Sequence, residues 1–162
     1  MSATAAINHP TLDLRPLARI PVVRCLLVRD RNQEAETSRI RCAADAYSML
    51  AAYLAGADRE HSVVLLLNTQ NEVIGINTVT MGTLDASLVH PREVFKPAIL
   101  ASAASVILAH NHPSGDPTPS AEDRAVTHQI KAAGDVVGIP VLDHIVIGDG
   151  RFVSFAEHGL LS

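Results

Sequence analysis

Four residues between positions 110 and 123 have the types and the spacing of a catalytic metal site. His110 and His112 lie two positions apart at the end of a predicted strand, so both imidazoles should point to the same face. Ser120 begins a predicted helix, and Asp123 lies in its first turn. Two imidazoles and one carboxylate on converging elements are a common catalytic zinc set that leaves a further position open for water. Such a zinc ion lowers the pKa of that water and polarises a substrate carbonyl.

A stiff loop joins the histidine pair to the helix. Residues 113–119 include three prolines and one glycine, so the loop has few conformations and can fix the distance between the ligands. Ordinary explanations exist for the separate pieces. Ser120 and Asp123 resemble a helix capping box, an aspartate suits a helix N-terminus, and His-x-His pairs are common. They do not explain why a proline-rich loop connects the pieces.

The pattern H-x-H, seven residues, S, two residues, D is the JAMM motif of MPN/JAB-domain metalloproteases, and this chain matches it without a gap. The sequence around this motif resembles the RadC family from about residue 20 to the C-terminus. The segments that carry the resemblance are REHSVVLLLN (59–68), GTLDASLVHPREVFKPAI (82–99), ILAHNHPSGDPTPSAED (107–123) and VLDHIVIGDGRFVSFAEHG (141–159).

The resemblance implies a fold and an activity. The fold is a single MPN/JAB domain of the α/β (α+β) class, a mixed central β-sheet flanked by helices, cytidine-deaminase-like. The activity is that of a zinc-dependent metallohydrolase, with one Zn²⁺ per chain, that cleaves a peptide or isopeptide bond with a zinc-activated water. His110, His112 and Asp123 would be the metal ligands. Ser120 would donate a hydrogen bond to the developing oxyanion, which is compatible with a capping role because a hydroxyl can donate and accept at once.

JAMM proteases also use an upstream glutamate at the start of a central strand, which holds or deprotonates the water. Glu60 is the best match because it directly precedes the apolar run HSVVLLL, although it could also be a solvated charge at a strand edge. Glu93 is the second choice, and a helix first-turn acid is its more natural reading. Glu72 lies in a turn and is a poor third. His144 is expected to be a core histidine or to support a ligand, not to be one.

The elements that must position these residues follow from apolar patterns and turn signals. Residues 1–19 are expected to form a loose N-terminal arm, and residues 20–162 the domain. Pro97 should break or kink the second helix, and Gly134 should end the third. Predicted strands span 20–28, 63–67, 73–79, 105–109, 141–147 and 152–155, and predicted helices span 42–54, 91–102 and 120–133.

Composition limits the alternatives. The chain has 162 residues, a net charge of −4, 3% aromatic residues and two cysteines. These values argue against an aromatic nucleic-acid platform, a broad phosphate-binding surface and a disulfide framework. With no targeting signal and no apolar stretch long enough to span a bilayer, a cytoplasmic protein without membrane contact is expected.

Two other functions stay open at this point. One is a DNA-repair-associated nucleic-acid processing or binding protein of the RadC family. The acidic balance makes weak or absent DNA binding the expectation. There is also no room for the N-terminal helix-hairpin-helix region of longer RadC proteins, so the chain resembles a stand-alone JAB domain. The other is a non-catalytic zinc-stabilised scaffold. The intact ligand set argues against it, and a peptide or protein substrate remains the expected partner.

Overall fold

The computed structural model describes residues 19–82 and 89–161. In these ranges the chain alternates between helices and strands, which is the mixed pattern that the sequence predicts. The elements in chain order are α1 (Ala43–Tyr53), β1 (His61–Leu67), β2 (Val73–Met81), α2 (Pro91–Leu100), β3 (Ser105–Asn111), α3 (Ala121–Val137), β4 (Val141–Ile147) and β5 (Phe152–Ser154).

The strands form one mixed sheet with the order β2-β1-β3-β4-β5. β1 pairs antiparallel with both β2 and β3, whereas β3 and β4 are parallel and are connected through α3. A parallel pair needs such a crossover because its two strands run in the same direction. The predicted mixed central sheet flanked by helices is confirmed. β3 is the central strand, so residues at its end can be contacted by the strands on both sides, β1 and β4.

Each face of the sheet is covered by a separate apolar core. On one face, Met49 and Leu50 of α1 pack against strand residues that include Leu65. On the other face, Phe95 of α2 and Ile130 of α3 join a second buried cluster. Strands buried on both faces are continuously apolar, which is why β1 shows no alternation.

The predicted strand at 20–28 is wrong. This segment has no regular secondary structure, and its large apolar side chains, such as Val22 and Val28, are exposed. β-branched residues favour a strand only when a neighbouring strand supplies hydrogen bonds and packing. In the described ranges the segment has no such neighbour. The predicted arm lies, except for Arg19, outside the described residues.

Two predicted helix breaks are also corrected. α2 continues through Pro97 to Leu100 because the packing of one helix face can outweigh the loss of one hydrogen bond. α3 continues through Gly134 to Val137 and ends at Gly138, whose φ of 78° is the left-handed cap conformation. Gly134 instead marks a close approach between chain segments. A Cβ there would lie 2.6 Å from the backbone oxygen of Ile139 and 3.0 Å from Cζ of Phe95.

In the described ranges, no helix has the length and apolar character that crossing a membrane requires.

Candidate metal centre

The histidine pair lies at the end of the central strand. His110 belongs to β3 and His112 directly follows it, and both rings are on the same face of the sheet. The two Nε2 atoms are 2.9 Å apart. The His110 side chain is 3% exposed and that of His112 is 16% exposed. The two rings therefore lie on the same face of the sheet, as the period of two predicts. Their Nε2 atoms point toward each other.

The proline-rich loop orients His112. The Nδ1–H of His112 donates to the backbone oxygen of Asp116, 2.7 Å away. A carbonyl can only accept, so the proton is on Nδ1 and the lone pair is on Nε2, which faces His110. The loop is itself attached to the β4–β5 turn, because Asp149 N–H donates to the Gly115 oxygen at 2.9 Å. Gly115 has a φ of 81°, a conformation that suits glycine.

The start of α3 places the carboxylate. Ser120 and Asp123 form the capping box that the sequence suggests: Ser120 Oγ accepts from Asp123 N–H at 3.0 Å, and Asp123 Oδ2 accepts from Ser120 N–H at 2.7 Å. Asp123 Oδ1 lies 3.2 Å from Nε2 of His110, and Oδ2 lies 3.5 Å from Nε2 of His112. The capping geometry therefore aims the same carboxylate at both rings.

The carboxylate of Asp123 is held in its charged form. Burial, the largest influence, acts against ionisation. The neighbouring His110 and the N–H and O–H of Ser120 outweigh it and hold the pKa of Asp123 well below its usual value. Ser120 Oγ donates its proton to Asp123 Oδ2 at 2.7 Å. The expected outward-pointing hydroxyl is therefore turned toward Asp123 in this structure.

His110, His112 and Asp123 form a group that could hold a metal ion. One ligand atom from each lies within 4.8 Å of the others. Two imidazole nitrogens and a charged carboxylate are the donor types that zinc accepts. A cation among them would also offset the repulsion between nitrogen lone pairs that face each other. The donor set therefore fits the metal that the sequence predicts.

Glu60 lines the same cavity as His110, Ser120 and Asp123, a space of about 590 Å³. It directly precedes β1 and lies outside the three-residue ligand group. Among the described residues, Glu60 Oε2 is the one buried side-chain oxygen or nitrogen without a hydrogen-bond partner. An unpartnered buried carboxylate oxygen is costly, and such an atom is often kept for function.

Asn111, between the two histidines, fixes the backbone on both sides of Glu60. Its Oδ1 accepts from His61 N–H at 2.8 Å, and its Nδ2 donates to the Arg59 oxygen at 3.0 Å. One amide side chain thus ties the start of β1 to the end of β3. Sequence reasoning did not identify Asn111, and the only signal was its position within the His-x-His pair.

The other two candidate glutamates have partners elsewhere. Glu93 lies in the first turn of α2, where its carboxylate contacts Lys96 at 2.7 Å and Arg92 at 3.4 Å. These contacts lower its pKa, with the hydrogen bond to Lys96 as the main cause. Glu72 accepts from Asn68 Nδ2 at 2.9 Å in the turn between β1 and β2. Neither glutamate lines the cavity around the ligand group.

His144 lies behind His110 and contacts it directly. His144 Nε2 is 2.8 Å from His110 Nδ1, and His144 Nδ1 is 2.6 Å from Thr127 Oγ1. Burial, with smaller contributions from His110 and His112, lowers the pKa of His144 well below 6.5, although Asp123 opposes the shift. His144 therefore contacts a candidate ligand and lies outside the ligand group. Thr127 was not identified, although it lies one helical turn after Asp123.

Comparisons with known proteins show which family this chain belongs to. A family profile described as a RadC-like JAB domain matches residues 40–160. A UPF0758 protein of Rubrobacter xylanophilus is 61% identical over 118 residues, which is 73% of this chain and 52% of that protein. A UPF0758 protein of Methanococcoides burtonii is 52% identical over 124 residues, covering 76% and 54%. The chain thus spans about half the length of these curated relatives. On the profile match and these identities, the chain belongs to the RadC-like JAB domain family.

Proposed function

We propose that this protein is a zinc-dependent metallohydrolase that cleaves a peptide or isopeptide bond. One observation carries the proposal: the ligand atoms of His110, His112 and Asp123 converge beside a cavity that also contains the unpartnered carboxylate oxygen of Glu60. A scaffold site has no use for a buried carboxylate without a partner, because removing it from water costs free energy. A hydrolase needs such a group to accept a proton.

The metal site would be built by three side chains from two elements and the loop between them. His110, His112 and Asp123 would hold one Zn²⁺ through Nε2, Nε2 and a carboxylate oxygen. When bound, zinc supplies Lewis acidity, which lowers the pKa of a water and polarises a carbonyl.

Glu60 would act as the general base. Its Oε2 would take a proton as the water oxygen bonds to the carbonyl carbon of the substrate. It would then give that proton to the nitrogen as the C–N bond breaks, so that the products are a carboxylic acid and an amine. Because Oε2 has no other partner, no existing hydrogen bond must break first.

Ser120 would stabilise the negative charge that develops on the substrate oxygen. Its hydroxyl proton now goes to Asp123 Oδ2, so the hydroxyl must rotate to reach a substrate. Its N-cap role does not prevent this, because the oxygen can accept from Asp123 N–H while the proton turns outward.

Zinc content and peptide cleavage test the proposal together. The purified protein should contain or take up one zinc ion per chain, measured by elemental analysis. Zinc-loaded protein, incubated with a library of peptides and of lysine-branched isopeptides, should generate new termini that mass spectrometry detects. A protein that takes up no zinc contradicts the metal site. A zinc-loaded protein that cleaves nothing in either library contradicts the hydrolase.

A further inference from the structure

A chain of hydrogen bonds runs from the backbone of α3 to the rear of the metal ligand His110. Thr127 Oγ1 is 2.6 Å from the Asp123 oxygen and 2.6 Å from His144 Nδ1. His144 Nε2 is 2.8 Å from His110 Nδ1. Thr127 is fully buried, and His110 and His144 are 3% and 5% exposed, so water does not compete for these contacts.

The number of available protons sets the direction of every bond in the chain. The Asp123 carbonyl can only accept, so it takes the single hydroxyl proton of Thr127. Thr127 Oγ1 must then accept from Nδ1–H of His144. A neutral His144 with its proton on Nδ1 has a lone pair on Nε2, which can only accept from Nδ1–H of His110. The remaining lone pair of His110 is therefore on Nε2, the atom that faces His112 and Asp123.

The same result is reached for His112 by a simpler route. Its Nδ1–H donates to the Asp116 carbonyl, which leaves its lone pair on Nε2. One ligand histidine is thus oriented by a loop carbonyl, and the other by two buried side chains. Groups that accept a hydrogen bond from the other ring nitrogen of a metal-binding histidine fix both its tautomer and its ring orientation.

We propose that Thr127 and His144 are positioning residues that hold His110 in the tautomer that binds metal through Nε2. The inference rests on the proposed metal site, and it assigns the ordering of that site to a hydroxyl one helical turn beyond the ligand Asp123. Without the hydroxyl, His144 loses the acceptor for its Nδ1 proton. Its proton can then move to Nε2 and face His110 Nδ1, which favours the wrong tautomer of the ligand.

Zinc affinity of a threonine series tests the proposal. Thr127→Val keeps the shape of the side chain and removes the hydroxyl, whereas Thr127→Ser keeps the hydroxyl. Thr78→Val is the matched control. Thr78 lies on β2, far from the ligands in sequence, and its Oγ1 also hydrogen-bonds to an aromatic side chain, Tyr53 Oη at 2.9 Å. Each variant is titrated with zinc against a chelator of known affinity, and its thermal unfolding is recorded.

Thr127→Val should bind zinc about 10- to 100-fold more weakly, the usual effect of losing a partner behind a ligand. Thr127→Ser and Thr78→Val should stay within a few-fold of the unmodified chain. Equal affinity of Thr127→Val and the unmodified chain would overturn the proposal, as would equal losses in Thr127→Val and Thr78→Val. If the unmodified chain binds no zinc, the proposed function fails. If it binds zinc and Thr127→Val binds zinc equally well, only the positioning role fails.

The ring nitrogens give a second readout that does not depend on how well the variants fold. In the ¹⁵N spectrum of the zinc-loaded, unmodified protein, His144 should carry its proton on Nδ1, and His110 should bind zinc through Nε2. A proton on Nε2 of His144, or ligation of His110 through Nδ1, would overturn the assignment.

Discussion

The proposed roles of Glu60 and of the three metal-binding side chains are separate, and this separation gives the first prediction. Glu60→Gln keeps the size of the side chain but removes its ability to accept a proton. Zinc content should be unchanged, because Glu60 lies outside the ligand group. Hydrolysis should fall by about 10²-fold or more, the usual scale for loss of a general base. Zinc analysis and cleavage rates on one preparation measure both effects.

Glu93→Gln is the control for that experiment. Glu93 is paired with Lys96 on the surface of α2, so its substitution should leave turnover unchanged. Loss of turnover in Glu93→Gln together with normal turnover in Glu60→Gln would mean that the base is assigned to the wrong carboxylate.

A second prediction separates ligation from capping at Asp123. Asp123→Asn removes the negative charge but keeps a side-chain oxygen that can accept from Ser120 N–H. Zinc affinity should fall by at least about 10-fold, while stability without zinc should change by no more than about 1 kcal/mol, the typical value of a cap. Chelator competition and urea unfolding measure these effects. Undiminished zinc affinity would remove Asp123 from the ligand set.

At the scale of single residues, the sequence predicts what depends on local spacing. The shared face of His110 and His112 follows from period two, and the Ser120–Asp123 box follows from helix capping rules. Thr127 was missed because its role depends on His144, which is brought beside β3 only by the parallel pairing of Leu108 with His144. No local pattern encodes that pairing.

Among the elements, the proline-rich loop depends on the absence of a side chain at Gly148. A Cβ there would collide with the Gly115 oxygen and would lie 2.7 Å from Cδ of Pro117. Gly148→Ala should push the loop away and disturb the Asp116 carbonyl that orients His112. The third prediction is a loss of about 1–3 kcal/mol in stability, the usual cost of overpacking, together with weaker zinc binding.

Gly150→Ala is the matched control in the same turn. Gly150 has a φ of 64°, so alanine there costs about 1–2 kcal/mol of backbone strain, but its Cβ would meet nothing within 4 Å. Gly150→Ala should lower the unfolding temperature without changing zinc affinity. If both variants bind zinc like the unmodified chain, the loop does not orient the ligand.

The fourth prediction concerns the contact between α2 and α3. Gly134→Ala should raise intrinsic helix stability by about 1 kcal/mol, yet its Cβ would lie 2.6 Å from a backbone oxygen that cannot rotate away. Overpacking should therefore dominate and lower the free energy of unfolding in urea by about 1 kcal/mol net. The reverse exchange Ala132→Gly, at an exposed site of the same helix, should also lower the free energy of unfolding, because glycine disfavours the helix. A more stable Gly134→Ala would show that the two segments can separate freely.

Element prediction succeeded where the sequence pattern agrees with the packing of the folded chain, and failed where it does not. β1 is a continuous apolar run, and α3 is a long helix that begins at a capping box. Residues 20–28 have the composition of a strand but no strand beside them in the described ranges. Strand propensity alone therefore gives a wrong prediction for this segment. The sequence predicts a helix end at Gly134 because it does not show that α2 and Ile139 approach this residue.

For the whole molecule, the charge balance supports a fifth prediction. With 13 basic and 17 acidic residues, the chain should bind duplex DNA no more tightly than roughly 10⁻⁵ M at physiological salt, the nonspecific range. The exposed arginines near the start of the described chain could form at most a modest patch; they are Arg24, Arg29, Arg31, Arg39 and Arg41. Fluorescence anisotropy at several salt concentrations measures this. A submicromolar affinity that disappears when these arginines are replaced would contradict it and favour the nucleic-acid function.

The positions of the site residues along the chain also determine when each becomes useful during synthesis. The three proposed ligands lie within one short segment, residues 110–123, so a partly folded chain could already capture zinc through local contacts. Glu60 joins them only after β1 has paired with β3, and His144 only after β4 has added in parallel, which is a slow, long-range step. Under the proposed function, metal capture can therefore precede catalytic competence, and a nascent chain that already holds zinc would not yet be a hydrolase.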